Sequence, residues 1–294
     1  MQLVDAGYDV WVGSNRGTEY SQGHKKYNAK TSTDYWMFTW ADMGLFDDVS
    51  NINTIKRVTG EEKIFYVGYS QGTAQMFYAL SHVPSLEQSL HRVVQLAPCF
   101  IPYFPPPSDT VEYSNATIMQ YQSKNIWAFN GPNWERDLPV LCTNFGKDLC
   151  DYFGAFAGWQ ASGVENGKYW TTVGVTQRFQ EYNINDWKAG TYDQPLIPIQ
   201  NIKVPLSFII VKDDVTCLPA QAKDRIPEIG SPVKVIEVEK GGHEYFAFTS
   251  NDAWFMEKLT GELKIPSGNL FNGAIAISSA CLSVAAGVAF AAVF

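Results

Sequence analysis

The chain has 294 residues, 46% apolar and 14% aromatic, with 22 Lys and Arg against 30 Asp and Glu for a formal charge of −8. That composition excludes a disordered tail protein, and at roughly 100–200 residues per domain the length holds one large domain or two modest ones. Net acidity with no basic run longer than Lys25-Lys26 also excludes nucleic acid as a partner, because phosphate binding needs a concentrated positive field.

In chain order, Met1 to Ala6 reads as the end of a helix stopped by Gly7, and Tyr8 to Val12 as a short strand. With neither a basic leader nor an apolar run ending in small residues, this opening is no signal peptide, and the chain is expected to begin inside a domain. Ala41 to Val58 places Met43, Phe46, Val49, Ile52 and Ile55 at three-residue steps before Gly60, which predicts a helix. Runs rich in β-branched and aromatic residues predict strands at Lys63–Val67, Arg92–Leu96, Leu206–Val211 and Val233–Val238, with a helix over Thr73–His82. Strands alternating with helices predict an α/β domain with a mostly parallel sheet.

The rhythm fails between about Ile101 and Asn201, where IPYFPPP, many aromatics and short amphipathic pieces such as Val173–Tyr182 replace strands. An insertion into one α/β domain explains this better than two tandem domains. The expected organisation is therefore a core over 1–100, an inserted cap over 101–201, a second core segment over 202–264 and a hydrophobic tail over 265–294. Lys264 is the last charged residue, and from Gly273 the text is apolar or small and of transmembrane length. A tail removed on attachment of a GPI anchor, a retained membrane anchor and a buried core helix are the three readings. The sequon Asn115-Ala116-Thr117 is compatible with export. The five cysteines, Cys99, Cys142, Cys150, Cys217 and Cys281, lack the paired spacing of a zinc site, so no metal is implied. Cys142 and Cys150 could close a small loop in an exported protein; reduced buried thiols are the alternative.

The chemistry concentrates at KIFYVGYSQG, residues 63–72, a strand running into Gly68-Tyr69-Ser70-Gln71-Gly72 and then a helix. This is the G-x-S-x-G pattern in the strand-turn-helix context that exposes a nucleophilic serine. A serine needs a base, and the base needs a carboxylate to fix its tautomer. His24 lies in a polar loop, and His82 and His91 flank the helix after Ser70 as surface residues. His243 follows a strand in VIEVEKGGHEYF, on a loop at the carboxyl end of the sheet where catalytic groups collect, and is the expected base. LSFIIVKDDVTCLP delivers Asp213 and Asp214 just past another strand; either qualifies as the acid, and the other is expected to be a solvated loop carboxylate. Serine, aspartate, histidine is the order expected of α/β-hydrolases.

Together, LVDAGYDVWVGSNRGTEYSQGH, DYWMFTWADMGLFD, IFYVGYSQGT and the aspartate and histidine loops resemble the acid lipases of the gastric and lysosomal group. The resemblance runs from Met1 to about Leu263 and implies an α/β-hydrolase fold with an inserted cap that binds acyl chains. It implies Ser70, Asp214 and His243 as the triad, Asp214 being preferred to Asp213 because Pro219 follows five residues later. The backbone N–H of Gln71 would be one oxyanion donor. The strand ending in His-Gly that carries the second donor in this family, and the family's signal peptide, are expected before Met1. The implied activity is hydrolysis of neutral lipid esters, triacylglycerols or sterol esters, through an acyl-serine and without a cofactor. Acyl transfer would use the same residues, and a catalytically impaired lipid-binding relative is the alternative. The implied setting is the secretory route, at the cell surface or in a lysosome-like compartment, with a lipid–water interface or membrane met through the tail. No signal of oligomeric state is present.

Overall fold

A computed structural model describes residues 2–103, 111–129, 162–248, 253–264 and 274–279. They fall into two compact units: 2–14 and 40–100 with the described residues from 197 onward, and 15–39 with the described residues between 101 and 196.

The first unit opens with α1 (Gln2–Asp5) and β1 (Asp9–Gly13), joined through Gly7, whose φ of +89° is the left-handed stop that glycine allows. The predicted helix at 41–58 is three segments in line: α2 (Trp40–Asp42), a π-helical stretch (Met43–Asp48) and α3 (Val49–Thr59), capped by Gly60 at φ 78°. Met43, Ile52 and Ile55 are buried, but Phe46 is exposed, against the apolar row read from the sequence. Steps of three residues fall short of a 3.6-residue turn, and the wider π turn shifts the phase again. Gly44 is required here, because a Cβ on it would stand 2.3 Å from the carbonyl oxygen of Gln75.

The strands β2 (Ile64–Tyr69), β3 (Leu90–Leu96), β6 (Leu206–Val211) and β7 (Val233–Val238) and the helix α4 (Gln71–His82) occupy the predicted stretches with shifts of a few residues at their ends. Among the described residues the sheet has six parallel strands in the order β1-β8-β2-β3-β6-β7, β8 being Ala274–Ser279. Both faces of its centre are covered, which is why β2 and β6 are buried throughout and read as nearly continuous apolar runs, Ser207 being the polar exception in β6. Phe65, Val67, Val94, Ile209 and Val211 pack with Phe255, Leu259 and Leu263, while Phe77 of α4 meets Phe208 edge-on at 5.7 Å. The remaining helices of this unit are α8 (Pro219–Arg225), α9 (Tyr245–Phe248) and α10 (Ala253–Glu262).

One strand departs from expectation. β8 (Ala274–Ser279) comes from the run read as a membrane or anchor segment, yet it lies between β1 and β2, with Val67 opposite Ile277 and Tyr69 opposite Ser279. Alternating Ala and Ile followed by two serines suits a strand flanked on both sides. Residues 265–273 and 280–294 lie outside the described residues. Among those described, no helix is long and apolar enough to cross a membrane.

The second unit contains α5 (Val111–Ser123), the two-residue strands β4 (Ala128–Phe129) and β5 (Ser162–Gly163), α6 (Val164–Thr176) and α7 (Ile184–Ala189). The amphipathic piece expected at 173–182 is instead the end of α6, buried from Val164 to Gly174 and terminated by Gln177 at φ 57°. Residues 15–39, assigned to the core by sequence, join this unit through close backbone packing: a Cβ on Gly163 would sit 2.4 Å from the carbonyl oxygen of Trp36. Cys142, Cys150 and Cys281 lie outside the described residues, as does any bridge between the first two.

Candidate active site

The site is built at the carboxyl ends of β2, β6 and β7. β2 ends at Tyr69, and Ser70 turns the chain into α4 with φ 52° and ψ −122°. A non-glycine residue holds such a conformation at a cost of about 1–3 kcal/mol, so its surroundings must over-determine it. They do so by hydrogen bonds: Ser70 N–H donates to the Leu96 carbonyl at 3.1 Å, and the Ser70 carbonyl accepts from Thr73 N–H at 2.9 Å and from the Thr73 hydroxyl at 2.5 Å. Gly68 is forced by space, since a Cβ there would lie 2.5 Å from Gln95 Oε1 and 3.0 Å from the Gly72 carbonyl oxygen.

His243 arrives on the loop after β7, where Gly241 (φ +143°) and Gly242 (φ +65°) take turns that L side chains rarely adopt. Its ring is buried, with Nε2 2.7 Å from Ser70 Oγ and Nδ1 2.8 Å from Asp214 Oδ2. Asp214 is buried too, and its Oδ1 accepts the amides of Thr216 at 2.8 Å and Cys217 at 2.9 Å. Serine, imidazole and carboxylate therefore form one hydrogen-bonded row, the arrangement in which an imidazole can take a hydroxyl proton while the carboxylate fixes its tautomer.

The two adjacent aspartates part company. Asp214 meets the imidazole, and Asp213 turns to the backbone of the histidine loop, its Oδ1 accepting Gly242 N–H and Gly241 N–H at 2.9 Å each. The amide of Gly242, with that of Gly241, holds the Asp213 carboxyl below its usual range. It is exposed, but it is a tether of the loop and not the merely solvated carboxylate the sequence suggests. The other histidines have local partners: His24 Nδ1 accepts from the amides of Lys26 and Tyr27, and His82 Nδ1 lies 2.9 Å from the Tyr78 carbonyl oxygen. His91 lies on β3 against Phe65, where burial and then Lys63 push its pKa down.

Three contributors go unremarked in the sequence reading. Tyr69 donates its hydroxyl to the His243 carbonyl at 2.8 Å and stacks on the imidazole at 5.4 Å between centroids, so the residue beside Ser70 also pins His243. An aromatic at that place in the motif was the available signal. Thr73 locks the serine turn, as a hydroxyl three residues into a helix is placed to do. Cys99 and Cys217 form a disulfide across 118 residues, a pairing that spacing alone could not predict. Gln71 opens α4, and the first four amides of a helix have no acceptor within it. Among the described residues no cluster of His, Cys, Asp and Glu could hold a metal ion.

A parallel sheet with a serine on a strand-to-helix turn, an acid after one later strand and a histidine after the next defines an α/β-hydrolase, and the family model described as alpha/beta hydrolase fold matches residues 2–138. Among curated relatives, Lipase member K of Mus musculus is 41% identical over 285 residues, 83% of this chain and 68% of that protein. On that similarity the chain belongs to the acid lipase family of α/β-hydrolases. A protein named as a probable lipase in Schizosaccharomyces pombe is 31% identical over 264 residues, covering 76% of this chain and 57% of its own length. Gastric triacylglycerol lipase of Bos taurus is 28% identical over 280 residues, 82% of this chain and 67% of that protein. The chain thus spans between about half and two thirds of these relatives.

Proposed function

We propose that this chain carries the catalytic residues of a serine ester hydrolase acting on neutral lipid esters, triacylglycerols or sterol esters. The observation that carries the reading is the buried row of Ser70 Oγ, His243 and Asp214 at 2.7 and 2.8 Å. Ser70 attacks the ester carbonyl while His243 Nε2 takes its proton, and Asp214 holds Nδ1–H and offsets the charge on the imidazolium. The tetrahedral oxyanion is met by the backbone N–H of Gln71 at the positive end of α4. The imidazolium then passes its proton to the departing alcohol, which leaves an acyl-serine. Water, deprotonated by the same histidine, attacks the acyl-serine and releases the fatty acid.

The substrate class rests on family membership and on relatives named as lipases, one of them for triacylglycerol. A secretory or lysosome-like route is supported by the Cys99–Cys217 bridge, since disulfides persist in oxidising compartments. Contact with a lipid–water interface is part of this reading, supported by the relatives named as lipases. The test is hydrolysis of emulsified triolein and cholesteryl oleate by the wild type and by Ser70→Ala. Fatty acid release by the wild type alone is expected, and equal release by both proteins removes Ser70 from the chemistry.

A further inference from the structure

Behind the catalytic row runs a second connection between its two ends. The Ser70 carbonyl accepts the Thr73 hydroxyl at 2.5 Å, and Thr73 Oγ1 accepts the Cys99 amide at 2.8 Å. Cys99 is bonded through sulfur to Cys217, whose own amide donates to Asp214 Oδ1 at 2.9 Å. Asp214 Oδ2 meets His243, and His243 returns to Ser70 Oγ. The result is a closed circuit in which every residue is buried and one link is covalent.

We propose that the Cys99–Cys217 disulfide is a positioning element of the catalytic row, setting the distance between the serine turn and the aspartate turn. This inference rests on the ester-hydrolase reading above. The aspartate turn needs such a hold. Its first half is tied to β7 and the histidine loop, through Lys212 N–H to the Val238 carbonyl at 2.9 Å and Asp213 Oδ1 to the Gly241 and Gly242 amides. Asp214 N–H bonds back to the Val211 carbonyl at 3.1 Å; toward the serine side the link is the disulfide, and the crest at Val215 is exposed. The carboxylate is oriented by two amides of that same turn, Thr216 and Cys217, so a shift of the turn carries the carboxylate with it. Cys217 is therefore both the donor that aims Asp214 and the atom chain through which the turn is fixed to the loop after β3. That loop is in turn bonded to the residue that locks Ser70.

A disulfide that acts only by restricting the unfolded chain lowers the melting temperature when removed and leaves the chemistry of the folded enzyme unchanged. A positioning bridge changes the chemical step, and a misplacement of about 1 Å can cost on the order of a hundredfold in rate. The discriminating variant is the double substitution Cys99→Ala with Cys217→Ala. Active sites are titrated with a p-nitrophenyl phosphonate, and p-nitrophenyl butyrate turnover is measured well below the melting temperature. The expected result is kcat per titrated site about ten- to a hundredfold lower with KM unchanged, and phosphonylation of Ser70 slower by the same factor. A lowered melting temperature with kcat and phosphonylation within twofold of wild type overturns the proposal.

If the double variant does not fold, the native protein is treated with a water-soluble phosphine, which becomes its oxide with an oxygen from water as the disulfide becomes two thiols. Activity must then fall in step with alkylatable Cys99 and Cys217 while near-ultraviolet circular dichroism is unchanged. Full activity in the reduced, folded protein overturns the proposal. The hydrolase reading fails separately, if Ser70→Ala is phosphonylated as fast as wild type.

Discussion

Asp214→Asn and Asp213→Asn remove one charge each from neighbouring residues, and the hydrogen-bond pattern separates their outcomes. Asp214 Oδ1 accepts two backbone amides, Thr216 N–H and Cys217 N–H, while Oδ2 faces His243 Nδ1. An asparagine there has one acceptor oxygen and one donor NH2. The oxygen must stay on the two amides, because the NH2 would oppose two donors, so the NH2 faces His243. A donor at that place forces Nδ1 to accept, moves the ring proton to Nε2 and takes from Ser70 the lone pair that would receive its proton. The loss of the correct tautomer in such a triad is worth about 10⁴ in kcat, or about 5.5 kcal/mol of barrier. Asp213 is different: one oxygen, Oδ1, accepts both Gly241 and Gly242 amides, and an asparagine oxygen can do the same. Asp213→Asn should therefore keep kcat within about tenfold, since a neutral acceptor makes weaker bonds of the same geometry. The assay is kcat on p-nitrophenyl butyrate per phosphonate-titrated site, with melting curves to show both variants folded. A larger loss in Asp213→Asn than in Asp214→Asn would refute the assignment.

Three further outcomes follow from the packing and charge of the core. Gly68→Ala drives a Cβ to 2.5 Å from Gln95 Oε1 and should destabilise by about 1–3 kcal/mol, read as a lower urea midpoint at unchanged slope. Glu262 is a buried carboxylate whose burial alone would raise its pKa, but Lys234 and Ser207, with Arg92, outweigh that and hold it low. Because its folded pKa is depressed, its stabilisation is full above the ordinary value and is lost as pH falls through the folded one. Glu262→Gln should thus cost about 1 kcal/mol at pH 7, Lys234 being largely exposed, and the gap to wild type should close in acid unfolding curves. Removing residues 273–294 takes β8 from between β1 and β2 and should lower the melting temperature or abolish soluble expression. An unchanged melting curve would mean that the run is a dispensable tail and not a strand.

How far the sequence reaches can be judged residue by residue. β2, β3, β6 and β7 are legible because each is a short run rich in β-branched and aromatic residues between turn signals; β2 and β6 are buried throughout, while β7, at the edge of the sheet, is partly exposed. Ser70 and His243 are legible because their local context, a strand entering a glycine-rich turn, is a property of a few adjacent residues. β8 is not, because a uniformly apolar run carries no period to separate strand from membrane helix, and its partners on β2 and β1 lie 210 and 265 residues away. The choice between Asp213 and Asp214 rested on the family resemblance through Pro219, and the structure distinguishes them by direction: one side chain reaches the imidazole and the other reaches the loop that carries it. The Cys99–Cys217 pairing, Tyr69's bond to His243 and the exposure of Phe46 all depend on contacts or helix phase that linear spacing does not encode.

The central claim is that Ser70 is a nucleophile activated by His243. A fluorophosphonate probe, followed by peptide mass spectrometry, tests it without any choice of lipid substrate. The account predicts one labelled peptide, 64–92 or its fragments, with the probe on Ser70 and labelling lost in both Ser70→Ala and His243→Ala. Labelling of another serine, or undiminished labelling in His243→Ala, would contradict it.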